Sequence, residues 1–547
     1  MAIAESQPVR FTPVGVSDAF DSTDKFPGSC RSLANLVFDQ SNPSQVIPRP
    51  GVGPAITSFA GFSSPGFISV QMTVGNMVYG MIATSLTAGK DQPFCYNLST
   101  SSFVTISNVT SSNSEGRPTS PATTGAWTPP TMAVVGTKLL ITHPGYSGSG
   151  SNFFGVIDIA NPAAPAYSTV NTATHGLPSV PTYVANFNNR AYFACGNALY
   201  YSDVLVPTSM TNAGQALTVG DTTNITALSG LPIQTTSAGV AGALVVFKST
   251  SIWQVTGDAA VTGTLSINYL SLTVGSIASR SMSPSPLGTI FVSQDSCYVV
   301  NPLGAVFPLA NNLGQMNATS DLRQPFIYCT QPSRIAASYA NGTYRLCIPT
   351  IVDGNVTTND YWFDTKRMRW NGPHSFNYDS ISTNGSVFIL SGVGSGAKLF
   401  SGVVTPTSNS LYNDNGTPFN CIMQSADFQN RGEMAMKQVI ESTIALAASG
   451  PRVAFSLQAI DGDGNFVANA TVSSNPSGGV WGSNTWGDGT LWKSSLVQAQ
   501  TYLIYWPTPI VFNRMSIVVS CVAGPGIAMD TFYARTQKTG YTLQIQG

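Results

Sequence analysis

The sequence predicts an all-β protein, a β-propeller of about six or seven blades with an additional C-terminal β-sandwich-like domain. Three observations carry this reading. Charged residues make up only 9% of the 547, against about 25% in ordinary globular chains, and helical Ala/Glu/Lys/Leu periodicity is missing. Short apolar runs, rich in β-branched and aromatic residues and bounded by turn formers, recur along most of the chain. The clearest is 239–258, GVAGALVVFKSTSIWQVTGD: an apolar strand Ala243–Phe247, a polar Lys248-Ser249-Thr250 turn, and a return through Ser251–Val255 to Gly257-Asp258. Runs of that length are sheet strands, and such a hairpin is the repeating piece of a blade.

Residues 1–54 read as an extended arm with a first strand. Leu33–Asp39 is followed by a Ser41-Asn42-Pro43 turn and by Val46–Gly51, where prolines on both sides of Arg49 deny that segment ladder hydrogen bonds. Residues 55–402 are assigned to the propeller. Strand candidates there include Phe67–Val74, Met77–Ala83, Met132–Thr142, Tyr183–Phe187, Ala191–Ala194, Thr289–Val292, Thr343–Pro349 and Val387–Leu390. Two stretches echo one another, Phe94–Phe103 and Tyr361–Trp370: each places an aromatic strand before Asn or Asp, turns through polar residues and returns to an aromatic, as the outer hairpin of a blade does. Ser99–Gly125, dominated by Ser and Thr, reads as a long surface loop. Residues 403–547 are assigned to the C-terminal domain, with strand candidates Gln438–Leu446, Val453–Ile460, Phe466–Val472, Ile510–Val519 and Asp530–Ala534. Within it Gly478–Trp492 sets three tryptophans among glycines, either a plug on the sandwich edge or a contact knob.

Charge and motif content argue for a structural role. With 24 basic and 25 acidic side chains the net charge is −1, too little to steer the chain to nucleic acid or anionic lipid. So uncharged a surface is poorly suited to a free monomer, which points to burial in an assembly. The opening MAIAESQPVRF has no apolar core of the secretory kind, and no run approaches the roughly 18 apolar residues of a membrane span, so stable membrane insertion is not expected. The eight cysteines are scattered without a CxxC, which disfavours zinc and disulfides. His143, His175 and His374 form no HExxH, and no GxSxG occurs. Gly392–Ala397 resembles a dinucleotide loop, but Lys398-Leu399-Phe400 continues as strand where a phosphate site needs a helix. Asp461-Gly462-Asp463-Gly464-Asn465 has the first oxygens of a calcium loop; Phe466 and Val472 stand where Gly and Glu are required, so a hairpin tip is the reading. No catalytic residue, cofactor or metal is therefore expected, and the chain reads as no enzyme. The densest basic cluster, Lys366, Arg367 and Arg369, is the candidate contact to a phosphate or a neighbouring subunit.

Several blocks, in order, resemble the tail nozzle or hub proteins of short-tailed bacteriophages, the tail tubular protein B-like group. They are Val46–Gly51 (VIPRPG), Leu139–Tyr146 (LLITHPGY), Asn188–Asp203 (NNRAYFACGNALYYSD), Ala243–Asp258 (ALVVFKSTSIWQVTGD) and Ser276–Gly304. Lys437–Leu446 is similar to the start of that family's distal domain. The resemblance implies a structural virion protein. A homo-oligomeric ring, a hexamer, would form the DNA-ejection channel below the portal and its head-to-tail adaptor protein, with a tail fibre or tailspike outside. Viral double-stranded DNA would pass without sequence-specific binding, and assembly would take place in the host bacterial cytoplasm. Near-neutral charge suits such a passage, since each phosphate contact adds salt-dependent grip. The alternative is a receptor- or glycan-binding propeller tail protein, in its enzymatic form a glycan-cleaving one; a carboxylate pair distant in sequence can meet in space.

Overall fold

Apolar runs that do not alternate with polar residues mark strands buried on both faces, and the computed structural model shows what covers them. It describes residues 7–542 apart from 19–27, 59–66, 84–89, 110–115, 120–127, 148–151, 171–175, 212–213, 237–238, 260–263, 311–319, 353–354, 393–397, 408–409, 429–434, 449–452 and 475–499. Strand Lys138–Thr142 sends Leu139 and Ile141 into one cluster with Tyr79 and Met81, and Leu140 into another with Val184 and Phe193. In Gly239–Lys248, Leu244 and Val246 pack against Ala185 and Tyr192, while Val245 and Phe247 pack against Phe291 and Val300. Successive side chains point to opposite faces of a strand, so each sheet is sandwiched between two others, the arrangement of propeller blades.

Among the described residues, six four-stranded antiparallel sheets are arranged in this way. Five are consecutive in the chain, spanning residues 67–104, 131–169, 183–218, 225–271 and 283–308. The sixth combines Tyr378–Asn384, Val387–Gly392 and Lys398–Gly402 with the short N-terminal strand Thr57–Ser58, which pairs through Leu399↔Thr57. One blade thus takes strands from both ends of the propeller stretch, and the ring is closed by pairing. Between the fifth and sixth blades lies a further sector, Ala336–Ala340, Thr343–Val352, Asn355–Asp364 and Arg369–His374, whose sheet continues beyond the propeller. Turns match the residues that make them: Asn188 (φ 50°) and Asn189 (φ 57°) join Tyr183–Phe187 to Arg190–Cys195, the two left-handed positions a type I′ hairpin needs. The hairpin expected at 243–255 is present with Phe247 opposite Ile252. Both echoing stretches are outer hairpins: Gln92–Asn97 with Ser102–Val104, and Asn355–Asp364 with Arg369–His374.

The remainder is a two-sheet sandwich that residues 403–547 do not build alone. In a ten-stranded sheet, Ser29–Ala34 bridges the sector to Asn420–Ser425, through Leu33↔Gly372 and Leu33↔Met423. In a seven-stranded sheet, Gln7–Phe11 lies along Ala528–Thr542, and Leu36–Phe38 and Val46–Pro48 extend the same sheet. The core between them joins Leu33, Leu36 and Val46 to Ile444, Leu457, Val519 and Phe532, all fully or almost fully buried. The segment read as an arm is therefore woven into the C-terminal sandwich. Its apolar residues form the inward face of edge and bridging strands, which a short run with two prolines does not disclose.

Candidate functional site

The first strand of each blade and of the sector faces a central channel with a cavity of about 520 Å³. Its wall takes Gln71, Met72 and Thr73 from the first blade, Thr131 and Met132 from the second and Tyr183 from the third. Ser229 comes from the fourth, Ser279, Arg280 and Ser283 from the start of the fifth, Ser338 from the sector and Ser380, Ser382 and Thr383 from the sixth. The lining is uncharged and hydroxyl-rich apart from Arg280, and none of the lining residues carries a carboxylate.

Much of this polarity stitches the ring. Gln71 Nε2 donates to Ile389 O at 2.6 Å and to Ser382 Oγ at 3.2 Å, Ser380 Oγ donates to Gln71 Oε1 at 3.3 Å, and Thr73 and Ser382 share a 2.8 Å bond. These bonds cross between the first and sixth blades, where the ring closes. Arg280 draws three segments together, donating to Ser69 O (2.8 Å), Asp379 O (2.7 Å) and Ser333 O (3.0 Å). Burial pulls its pKa down to about 10, and the nearby Asp379 carboxylate pulls it back up, so it remains a cation at neutral pH. The Asp379 carboxyl itself is raised, chiefly by burial and against Arg280 and Arg334. Ser279 Oγ differs from the stitching hydroxyls. It is buried at the channel wall and has no hydrogen-bond partner among the described residues, a state that costs about 1–3 kcal/mol unless water or a ligand meets it.

The basic cluster expected to make contacts sits elsewhere, on the outer hairpin of the sector. Arg367 donates to Asp364 Oδ2 (2.8 Å) and Asp39 O (3.0 Å); Arg369 reaches Pro43 O at 3.3 Å and lies over the Phe38 ring at 4.9 Å. Lys366 is the exposed member. Two of the three thus clamp this hairpin onto the N-terminal turn. His143 Nε2 donates to Asp91 Oδ2 at 2.6 Å while its Nδ1 accepts from Gly145 N at 2.9 Å, so both ring nitrogens are used internally. His374 is buried far from it in sequence, and His175 lies outside the described residues. The Asp461 loop is a hairpin tip, with Asp461 Oδ1 accepting from Asp463 N and Asn465 N. Of the glycine-rich loop, residues 393–397 lie outside the described residues, and strand Lys398–Gly402 follows. The tryptophan-rich stretch 478–492 also lies outside them.

Sequence reasoning missed the residues of the channel and one keystone. Arg49, fully buried, donates through Nε to Asn35 Oδ1 (3.0 Å), through Nη1 to Pro50 O (2.9 Å) and Asp414 Oδ1 (3.0 Å), and through Nη2 to Ser375 Oγ (3.0 Å) and Asp414 Oδ2 (2.5 Å). Its guanidinium also lies 4.3 Å from the centre of the Phe419 ring. An arginine fixed between two prolines was the available signal.

No family model and no curated protein matches the chain. Among solved structures it is similar to a Pyrococcus horikoshii acylaminoacyl peptidase, at 11% identity over 68% of this chain and 60% of that one, with a TM-score of 0.34. The chain therefore spans less than two thirds of that protein. It is similar also to the α-L-arabinofuranosidase PaAbf62A of Podospora anserina, solved with cellotriose (10% identity, 65% of this chain, 97% of that one, TM-score 0.25). A third is the Bacteroides ovatus Xyloglucan PUL GH43B (9% identity, 90% of this chain, 99% of that one, TM-score 0.26). Glycoside hydrolases recur among these structures, and the expectation of a chain that is no enzyme is withdrawn on that account.

Proposed function

We propose that the chain is a glycan-binding β-propeller whose ligand enters the central channel. The observation that carries this reading is the wall itself, free of carboxylates and dense in hydroxyls, with Ser279 Oγ buried and unmatched. Sugars present alternating hydroxyl donors and acceptors, which serine and threonine can meet in either role. Tyr183 and the methionines offer apolar surface to the C–H faces of a ring. The glycoside hydrolase and the α-L-arabinofuranosidase among the similar structures fit this ligand class. The test is a glycan array read beside a turnover assay for released reducing ends. Binding of a neutral oligosaccharide is expected, weakened about fivefold to tenfold by Ser279→Ala, the worth of one hydrogen bond. Absence of binding to any glycan sinks the reading.

A second reading, a ring subunit of a virus tail nozzle, is favoured by the apolar side chains left in solvent on so weakly charged a surface. Leu205 is 58% exposed, Leu303 68% and Tyr505 79%. A head-to-tail ring would cover such knobs. In this role the chain would meet copies of itself, an adaptor and a fibre or tailspike in the virion, around passing DNA. Mass measurement of the purified chain, alone and with an adaptor, tests it; a monomer in both conditions counts against it.

A further inference from the structure

The eight cysteines are all unlinked, seven of them buried, yet two meet across neighbouring strands. Asn420–Ser425 and Met515–Val522 are antiparallel partners in the ten-stranded sheet, and their register places Cys421 directly opposite Cys521. Both side chains face the sandwich core, the first fully buried and the second 6% exposed. Ala523 N donates to Phe419 O at 3.0 Å two steps along the same ladder. Antiparallel pairs alternate, so 421/521 is also a hydrogen-bonded pair, whose Cα atoms stand about 5.5 Å apart. Disulfides span Cα separations of roughly 4.4–6.8 Å. Cβ atoms opposite one another in a sheet lie about 4.5–5.5 Å apart, somewhat wider than the roughly 3.5–4.5 Å a relaxed disulfide takes. A bond formed here would be slightly strained, which raises its reduction potential and keeps it reversible once the strands part.

We propose that Cys421 and Cys521 form a reversible disulfide that staples the C-terminal sandwich when the chain leaves a reducing environment. The oxidant is a low-molecular-weight disulfide. One thiolate attacks it to give a mixed disulfide and release one small thiol; the second thiolate displaces the other small thiol and closes the protein bond. Two protein thiols are oxidised, two small thiols appear, and two protons are carried with them. The other cysteines lack such a partner in register. Cys95 lies beside Tyr79, Cys297 beside Tyr344, and Cys30 Sγ donates to Gly28 O. A hydrogen bond with the Cys521 thiol, and after it burial, hold the Cys421 thiol far above the ordinary range. Exchange is therefore slow in the folded chain and proceeds when the strands part or as the chain folds.

The staple would close a loop of about 100 residues, long enough to restrict the unfolded chain strongly. Cys421 Sγ also donates to Asn35 O at 3.5 Å, and Arg49 N donates to the same carbonyl at 3.0 Å. Oxidation would remove the thiol donor and leave the backbone one, so the N-terminal joint would keep its place.

The experiment refolds the full chain with reduced or oxidised glutathione, blocks free thiols with iodoacetamide and maps peptides by mass. The expected product of the oxidised sample is one cross-linked peptide joining Cys421 to Cys521, two hydrogens lighter than its reduced parts. Its unfolding midpoint should rise above that of the reduced chain and fall back when dithiothreitol is added. Cys521→Ser should abolish both the peptide and the rise. Cys329→Ser, at the half-buried cysteine, should leave both intact. Recovery of Cys421 and Cys521 fully alkylated from the oxidised sample, or linked to other cysteines, overturns the proposal. Should Cys521→Ser fail to fold, the peptide map of the unsubstituted chain still decides.

Discussion

At the scale of single residues, the buried ionic groups of the N-terminal joint hold the sandwich to the propeller. Arg49 meets Asp414 with almost all of its polar surface satisfied. Removing one member of such a pair strands the other, at a cost of about 3–5 kcal/mol. Asp414→Ala is therefore expected to lower stability by that amount in urea titration, whereas Lys366→Ala, at an exposed tip, should change it by less than about 0.5 kcal/mol. His374 supplies a second test. Its Nδ1 accepts from Asn35 N at 3.1 Å, and burial, with Arg49 and Arg345, holds its pKa well below the ordinary imidazole range. The unfolded chain takes up a proton below about pH 6.5 and the folded chain does not, so this contribution is present above that pH and lost as pH falls. Asp360 and Asp379, both raised chiefly by burial, act in the opposite sense at lower pH. The clean reading is thus a comparison with His374→Gln. Between about pH 7.5 and pH 5 the wild type should lose about 2 kcal/mol more than the variant in chemical denaturation.

At the scale of elements, the strands were legible and their partners less so. Lys138–Thr142 and Gly239–Lys248 announce themselves because burial on both faces leaves no polar alternation, and the polar turn after Phe247 fixes a hairpin locally. The outer hairpins at 92–104 and 355–374 were visible for the same reason: aromatic strands around a polar tip need only neighbouring residues to define them. Channel-facing residues were not legible. Gln71, Ser279, Ser380 and Ser382 are ordinary polar letters in sequence, and only the ring brings them together from blades hundreds of residues apart. The internal partners of the basic trio were not legible either, since Asp39, Pro43 and Phe38, which engage Arg367 and Arg369, come from the far end of the chain.

At the scale of the whole molecule, the linear division into arm, propeller and C-terminal domain gives way to one in which the ends are shared. Residues before 50 supply strands to both sandwich sheets, and the ten-stranded sheet runs on into the propeller sector. A chain lacking residues 1–54 should therefore keep a protease-resistant propeller at 55–402 while 403–547 is digested. Equal resistance of both parts in limited proteolysis would mean that the C-terminal residues form a domain by themselves. The sandwich was half legible, because its C-terminal strands alternate visibly, as in Ala454–Asp461 and Phe466–Ser473, whereas no local signal tells Leu33 that its neighbours are Gly372 and Met423.

The strand Gln7–Phe11, lying along Ala528–Thr542 with Gln7 opposite Thr536, has a consequence during synthesis. Its ladder partner is synthesised only after every blade strand, so this strand must wait in the nascent chain, unpaired, while the blades fold one after another. Contacts of such high order form slowly and leave a sticky edge uncovered meanwhile. Translation speed and chaperone supply should consequently govern the yield of this sandwich more than the yield of the blades.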